Sequence, residues 1–173
     1  MKRIFLLLAI VGITTFTSCD NDPGPQGPQG PAGPDSEVFE LQNISFQLNQ
    51  NNEYTIFQNL NPVILDSDNI LIYRMSGTIN PQTPIWQLIP RTLFLDEGEL
   101  DYDFDFSAVD FTIYAGGTYN LATTPQFINN QTFRIVIIPG YFSKGSNLDL
   151  NDYNAVIKHF NIDDSNVTVL NKK

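Results

Sequence analysis

One cysteine in 173 residues leaves no partner for an intramolecular disulfide, so the fold has to be held by its apolar core rather than by covalent staples. One histidine excludes a zinc site built on paired imidazoles, and the chain has no Gly-x-Ser-x-Gly, so the parts of a nucleophile elbow are missing too. Basic residues are scarce. Nine of them stand against nineteen acids, a net charge of -10, which makes nucleic acid and anionic lipid headgroups repelled partners. Long apolar runs are also lacking: Ile4–Ile13 spans ten residues, about half of the roughly 20 a membrane-crossing helix needs. From these absences no catalytic residue, no metal site and no cofactor is assigned.

What is present begins with that short run. Lys2 and Arg3 precede it, and the polar "TTFTS" carries the chain to Cys19, which is the layout of an export leader over residues 1–18. Small or hydroxylated residues just before a cysteine resemble a bacterial lipoprotein signal, with Phe16, Thr17 and Ser18 where Leu-Ala-Gly is commoner. The resemblance implies that Cys19 is alkylated by diacylglycerol and becomes the mature terminus. Each acyl methylene buried in a bilayer contributes about 0.8 kcal/mol, and two chains suffice for stable anchoring. Asp20 and Asp22 follow at once. In lipoproteins of the Bacteroidota, acids at this place resemble the signal for the outer face of the outer membrane, so the expected location is that membrane, lipid-anchored and facing the exterior.

Residues 19–36 form a linker containing "GPQGPQGPAGPD", Gly24 to Asp35. Glycine at every third position is the collagen pattern, in which three polyproline II chains share an axis that admits only Gly. Four triplets are few. Two readings stand side by side: a monomeric polyproline II stalk, roughly 37 Å long at about 3.1 Å per residue, or a triple helix nucleated by a trimeric domain.

From Glu37 the pattern is β, and residues 37–173 make one domain of ordinary size. In "LDYDFDF" Leu100, Tyr102, Phe104 and Phe106 alternate with Asp101, Asp103 and Asp105, one face core and one face water. "DEG" at Asp96–Gly98 predicts a three-residue hairpin loop pairing "RTLFL", Arg91–Leu95, with this strand. "VDFTIYA" alternates through Val109, Phe111, Ile113 and Ala115 until Gly116 and Gly117 break it, giving a three-stranded meander. Further strands are predicted at Val38–Leu48, Glu53–Leu60, Asn69–Gly77, Phe133–Gly140 and Val167–Leu170. "FRIVIIPG" is apolar on both faces and so needs a cover. The helix predicted over Asp149–Phe160 supplies one: Tyr153, Val156, Ile157 and Phe160 form a single stripe, with Asp149 as N-cap. The fold class is mainly β, an antiparallel β-sandwich of seven to eight strands with one late amphipathic helix.

The succession "ILIYRM", "IWQLIPRTLFL", "LDYDFDF", "VDFTIYA", "FRIVIIPG" and "DLNDYNAVIKHFNI" resembles a group of Bacteroidota surface lipoproteins that carry a short collagen-like stretch. The resemblance implies architecture and location. It implies no catalytic or ligand residue.

The remaining candidates carry ordinary structural readings. Asp101, Asp103 and Asp105 resemble the start of a calcium loop, but Phe106 replaces its glycine and Thr112 its glutamate. On a strand they stand about 6.8 Å apart, which reads as a solvated row, with weak calcium binding through the nearby Asp96, Glu97 and Glu99 as the alternative. His159 falls off the helix stripe, Trp86 reads as core, and Arg74 and Arg134 read as partners of acids at a sheet end. Two function classes follow. One is a non-enzymatic surface lipoprotein presenting an interaction domain on a stalk, for adhesion or envelope organisation; the alternative is a glycan-binding accessory of an outer-membrane uptake system. Exposure of Trp86 and the seven tyrosines separates them: coplanar exposed rings favour glycan binding, and buried ones favour the first class.

Overall fold

The computed structural model describes residues 37–140 and 147–170. The leader, Cys19 and the Gly-Pro run lie outside these residues. Among the described residues ten strands form two five-stranded sheets, accompanied by one α-helix and two short 3-10 turns. The first holds β1 (Glu37–Ile44), β4 (Asn69–Asn80), β5 (Thr83–Ile89), β9 (Gln131–Ile138) and β10 (Thr168–Val169), in the order β10-β1-β9-β4-β5. The second holds β2 (Gln47–Leu48), β3 (Tyr54–Asn59), β6 (Arg91–Leu95), β7 (Gly98–Phe106) and β8 (Asp110–Gly117), in the order β2-β3-β8-β7-β6. All pairs are antiparallel except β1 with β10. The architecture is the β-sandwich with one late helix that the alternation predicts.

Between the sheets lies the larger core, where Leu41, Ile72, Phe133 and Ile135 of one sheet meet Ile56, Leu100, Tyr102, Phe111 and Ile113 of the other. Each such side chain stabilises by about 1.5–3 kcal/mol through burial. The meander β6-β7-β8 forms as expected, with Asp103 and Asp105 exposed on the outer face.

β9 is buried on both faces, and the cover is the helix α1 (Tyr153–His159). Tyr153, Val156 and Ile157 pack on Val38, Tyr73, Val136 and Ile138 as a second core, with Trp86 and Phe160 beside it. Among the described residues no helix is long and apolar enough to cross a membrane.

Several expectations are corrected. Val38–Leu48 is two strands, one in each sheet, because the chain turns at Asn43 (φ 51°) and Phe46 then donates its N–H to Ile128. The hairpin between β6 and β7 has a two-residue loop, with Leu95 paired to Gly98, which takes a φ of 138°. Gly116 and Gly117 do not end β8 but complete it. Val109 is exposed at a turn rather than inward. Asp152, not Asp149, caps α1 by accepting from Ala155 N–H at 3.0 Å; Asp149 closes the preceding turn at Asn151.

Candidate functional site

The aromatic side chains divide sharply by place. Tyr73, Tyr102 and Tyr153 are buried, and Trp86 packs into the second core against Tyr153, ring centroids 5.6 Å apart. Burial pushes the Tyr102 hydroxyl up to about 12 and raises that of Tyr73 further. Tyr141 lies outside the described residues. The other three, Tyr54, Tyr114 and Tyr119, are half-buried and all border one groove of about 480 Å³, Tyr114 from the open face of the sheet and the other two from its inner face.

The groove forms where β3 begins and β8 ends, since the two are antiparallel neighbours in register from Tyr54↔Ala115 to Asn59↔Asp110. Tyr114 faces outward from β8, and its hydroxyl donates to Asp105 Oδ2 at 2.8 Å, which raises its pKa. Tyr54 and Tyr119 lean on the inter-sheet core instead. Tyr119 is fixed at its far end by a 2.6 Å hydrogen bond with Thr124 Oγ1.

Two glycines shape the space. A Cβ on Gly116 would meet nothing within 4 Å, so the missing side chain leaves the groove open at that point. A Cβ on Gly117 would lie 2.5 Å from the Glu99 carbonyl and 2.9 Å from Leu121 Cδ2, so glycine is what lets β8 close onto the loop that carries Tyr119. Polar groups line the remainder. Glu53 Oε2 accepts from Asn49 at 2.9 Å, Asn120 caps a 3-10 turn through Ala122 N–H, and Asn52 lies beside them with a left-handed φ of 63°. Leu48 and Leu121 supply the apolar contacts.

The outward ring of Tyr114, a carboxylate and two amides at this groove are groups that can pack on an apolar ring face and bond to hydroxyls. Glu53 is the one carboxylate lining it among the described residues. The groove also lies at the end of the sandwich opposite the start of β1: β3 runs from the groove towards Leu60, and β1 begins beside Ile137 at the far end.

Residues singled out from sequence fall elsewhere. Asp101, Asp103 and Asp105 stay on the open sheet face, Asp101 accepting from Thr92; among the described residues no cluster of acids, His or Cys is arranged to hold a metal ion. His159 is exposed. Arg134 pairs with acids as expected, with Nε 2.8 Å from Glu40 and an Nη 2.9 Å from Asp164, and its guanidinium lies 4.6 Å from the Trp86 ring centre. Burial opposes its charge, but Glu40 and Tyr153 hold the pKa above its ordinary value. Arg74 is the correction. It faces between the sheets, where its neighbours are an amide and rings: Nε donates to Gln131 Oε1 at 2.8 Å, and the guanidinium sits 4.7 Å from the Tyr102 ring centre. Burial lowers its pKa.

Comparison of the chain with family models, with curated proteins and with solved structures finds no match.

Proposed function

We propose that the chain is a non-enzymatic surface lipoprotein whose β-sandwich is a carbohydrate-binding module, carried on the Gly-Pro stalk and anchored through Cys19 at the outer membrane. The observation that carries this reading is one groove bordered by the outward ring of Tyr114, the edges of Tyr54 and Tyr119, and the polar side chains Glu53, Asn52 and Asn120. Rings stack on the apolar faces of sugars, while the carboxylate and amides accept and donate to hydroxyls. The net charge of -10 favours neutral over acidic glycans, because an anionic chain would be repelled. The groove lies at the end of the sandwich opposite the start of β1, which follows the linker in sequence, and this suits a tethered binder.

Retention of the protein by a soluble neutral polysaccharide in affinity electrophoresis tests the reading. Gly116→Leu should abolish the retention, because it fills the groove at a place where a side chain meets no strain.

A further inference from the structure

The end of the sandwich at which β1 starts carries several exposed apolar side chains. Val63 is 61% exposed, Leu65 53%, Val109 50% and Phe106 40%. The Leu60–Ile64 segment that leads to Leu65 runs beside Ala108 and Val109, because Leu60 N–H bonds to the Val109 carbonyl at 2.8 Å and Ile64 N–H to that of Ala108 at 2.9 Å, and Phe106 ends the strand that precedes the same turn. Pro62, Val63 and Leu65 also line a notch of about 240 Å³ with Ile137, and Glu37, the first residue of β1, forms part of its wall. Contiguous exposed apolar surface of this kind marks a contact site.

The sequence indicates what covers it. One residue, Ser36, separates Glu37 from the end of the Gly24–Asp35 repeat. Glycine in every third position is a requirement of three chains sharing an axis, whereas a single polyproline II spacer needs proline but no glycine register. Four triplets are too few to hold three chains unaided, so a trimer also needs contact between the domains. Three copies joined at Asp35 would bring their Glu37 ends together, and it is at these ends that the apolar side chains lie.

We propose that three copies of this chain associate through the Val63, Leu65, Phe106 and Val109 end, the end that follows the Gly-Pro-X triplets in sequence. The occupant of the surface is a second copy of the chain. Each copy carries an excess of acids, so the association works against charge repulsion and tightens as salt screens it. The trimer presents three grooves from the same end, giving avidity on a repeating ligand; its existence does not depend on what the groove binds.

The test is the mass of the full chain in detergent by native mass spectrometry, at low and moderate salt. The wild-type chain should be three times the mass of one copy. Val63→Asp with Leu65→Asp should reduce it to one copy while circular dichroism keeps its wild-type form, since both positions are exposed on the single copy, and its melting temperature should fall because association no longer stabilises the fold. Gly27→Ala should weaken the trimer by disturbing the shared axis. A wild-type chain that remains single at high concentration overturns the proposal, as does a trimer indifferent to both sets of substitutions.

Discussion

The Tyr114 hydroxyl donates to Oδ2 of Asp105 at 2.8 Å on the open face of the second sheet. The bond to the carboxylate, with a smaller contribution from burial, raises the phenol above its usual value. Because the folded-state pKa is the higher one, the bond is fully formed below about pH 10 and is lost as pH rises through the folded value. In an NMR titration of tyrosine ring carbons, Tyr114 should titrate late, and Asp105→Asn should bring it down towards an ordinary tyrosine. A Tyr114 that titrates normally in the wild-type chain would mean that the bond is absent in solution.

Arg134 ties three elements together: it bonds to Glu40 of β1, to the Tyr153 hydroxyl of α1 and to Asp164 beyond the helix. Glu40 is buried, so removing its partner strands a carboxylate. Arg134→Ala should cost about 3–5 kcal/mol, read as a fall in the urea midpoint. Arg134→Met with Glu40→Leu should recover much of that loss, because the stranded charge is gone. A single substitution that leaves the midpoint unmoved would show the pair to be solvated.

Val156 is fully buried under α1. Val156→Asp places an unpaired charge against Tyr73 and Val136 and should destabilise the domain by several kcal/mol, on the order of 3 or more. A melt equal to wild type would place the helix stripe in water.

Lipidation concerns residues outside those described and is tested chemically. Mass spectrometry of the mature protein should find diacylglycerol on an N-terminal Cys19, and Cys19→Ala should release the chain or leave its leader attached. An unmodified terminus elsewhere would refute the anchor.

The two-residue period made Leu100–Phe106 and its neighbours readable, and the i, i+3, i+4, i+7 spacing did the same for Tyr153–Phe160, because both patterns follow directly from which face is buried. The change of sheet after Ile44 was hidden for the same reason: Ile44 and Phe46 are both buried, so apolar patterning runs through the break, and only Asn43 with its left-handed φ marks it. Asp149 and Asp152 offer equivalent carboxylates three positions apart, and hydrogen-bond geometry alone decides which caps. Arg74 was misread because a buried cation was expected to find a charge, whereas an amide and the face of Tyr102 receive it. The groove was least legible. Tyr54 and Tyr119 are distant in sequence, and only the pairing of β3 with β8 brings them to one place.

The central claim is that this groove binds neutral carbohydrate. Isothermal titration of the wild-type chain, Tyr114→Ala and Gly116→Leu with soluble amylose, laminarin, mannan and xyloglucan tests it most directly. Tyr114→Ala removes a ring from the open face and Gly116→Leu fills the space, and neither disturbs the inter-sheet core. The account predicts binding of at least one of these polysaccharides by wild type, a tenfold or greater loss (about 1.4 kcal/mol) in each variant, and unchanged melting curves. Binding that survives both substitutions, or wild-type protein that binds none of the four, would contradict it.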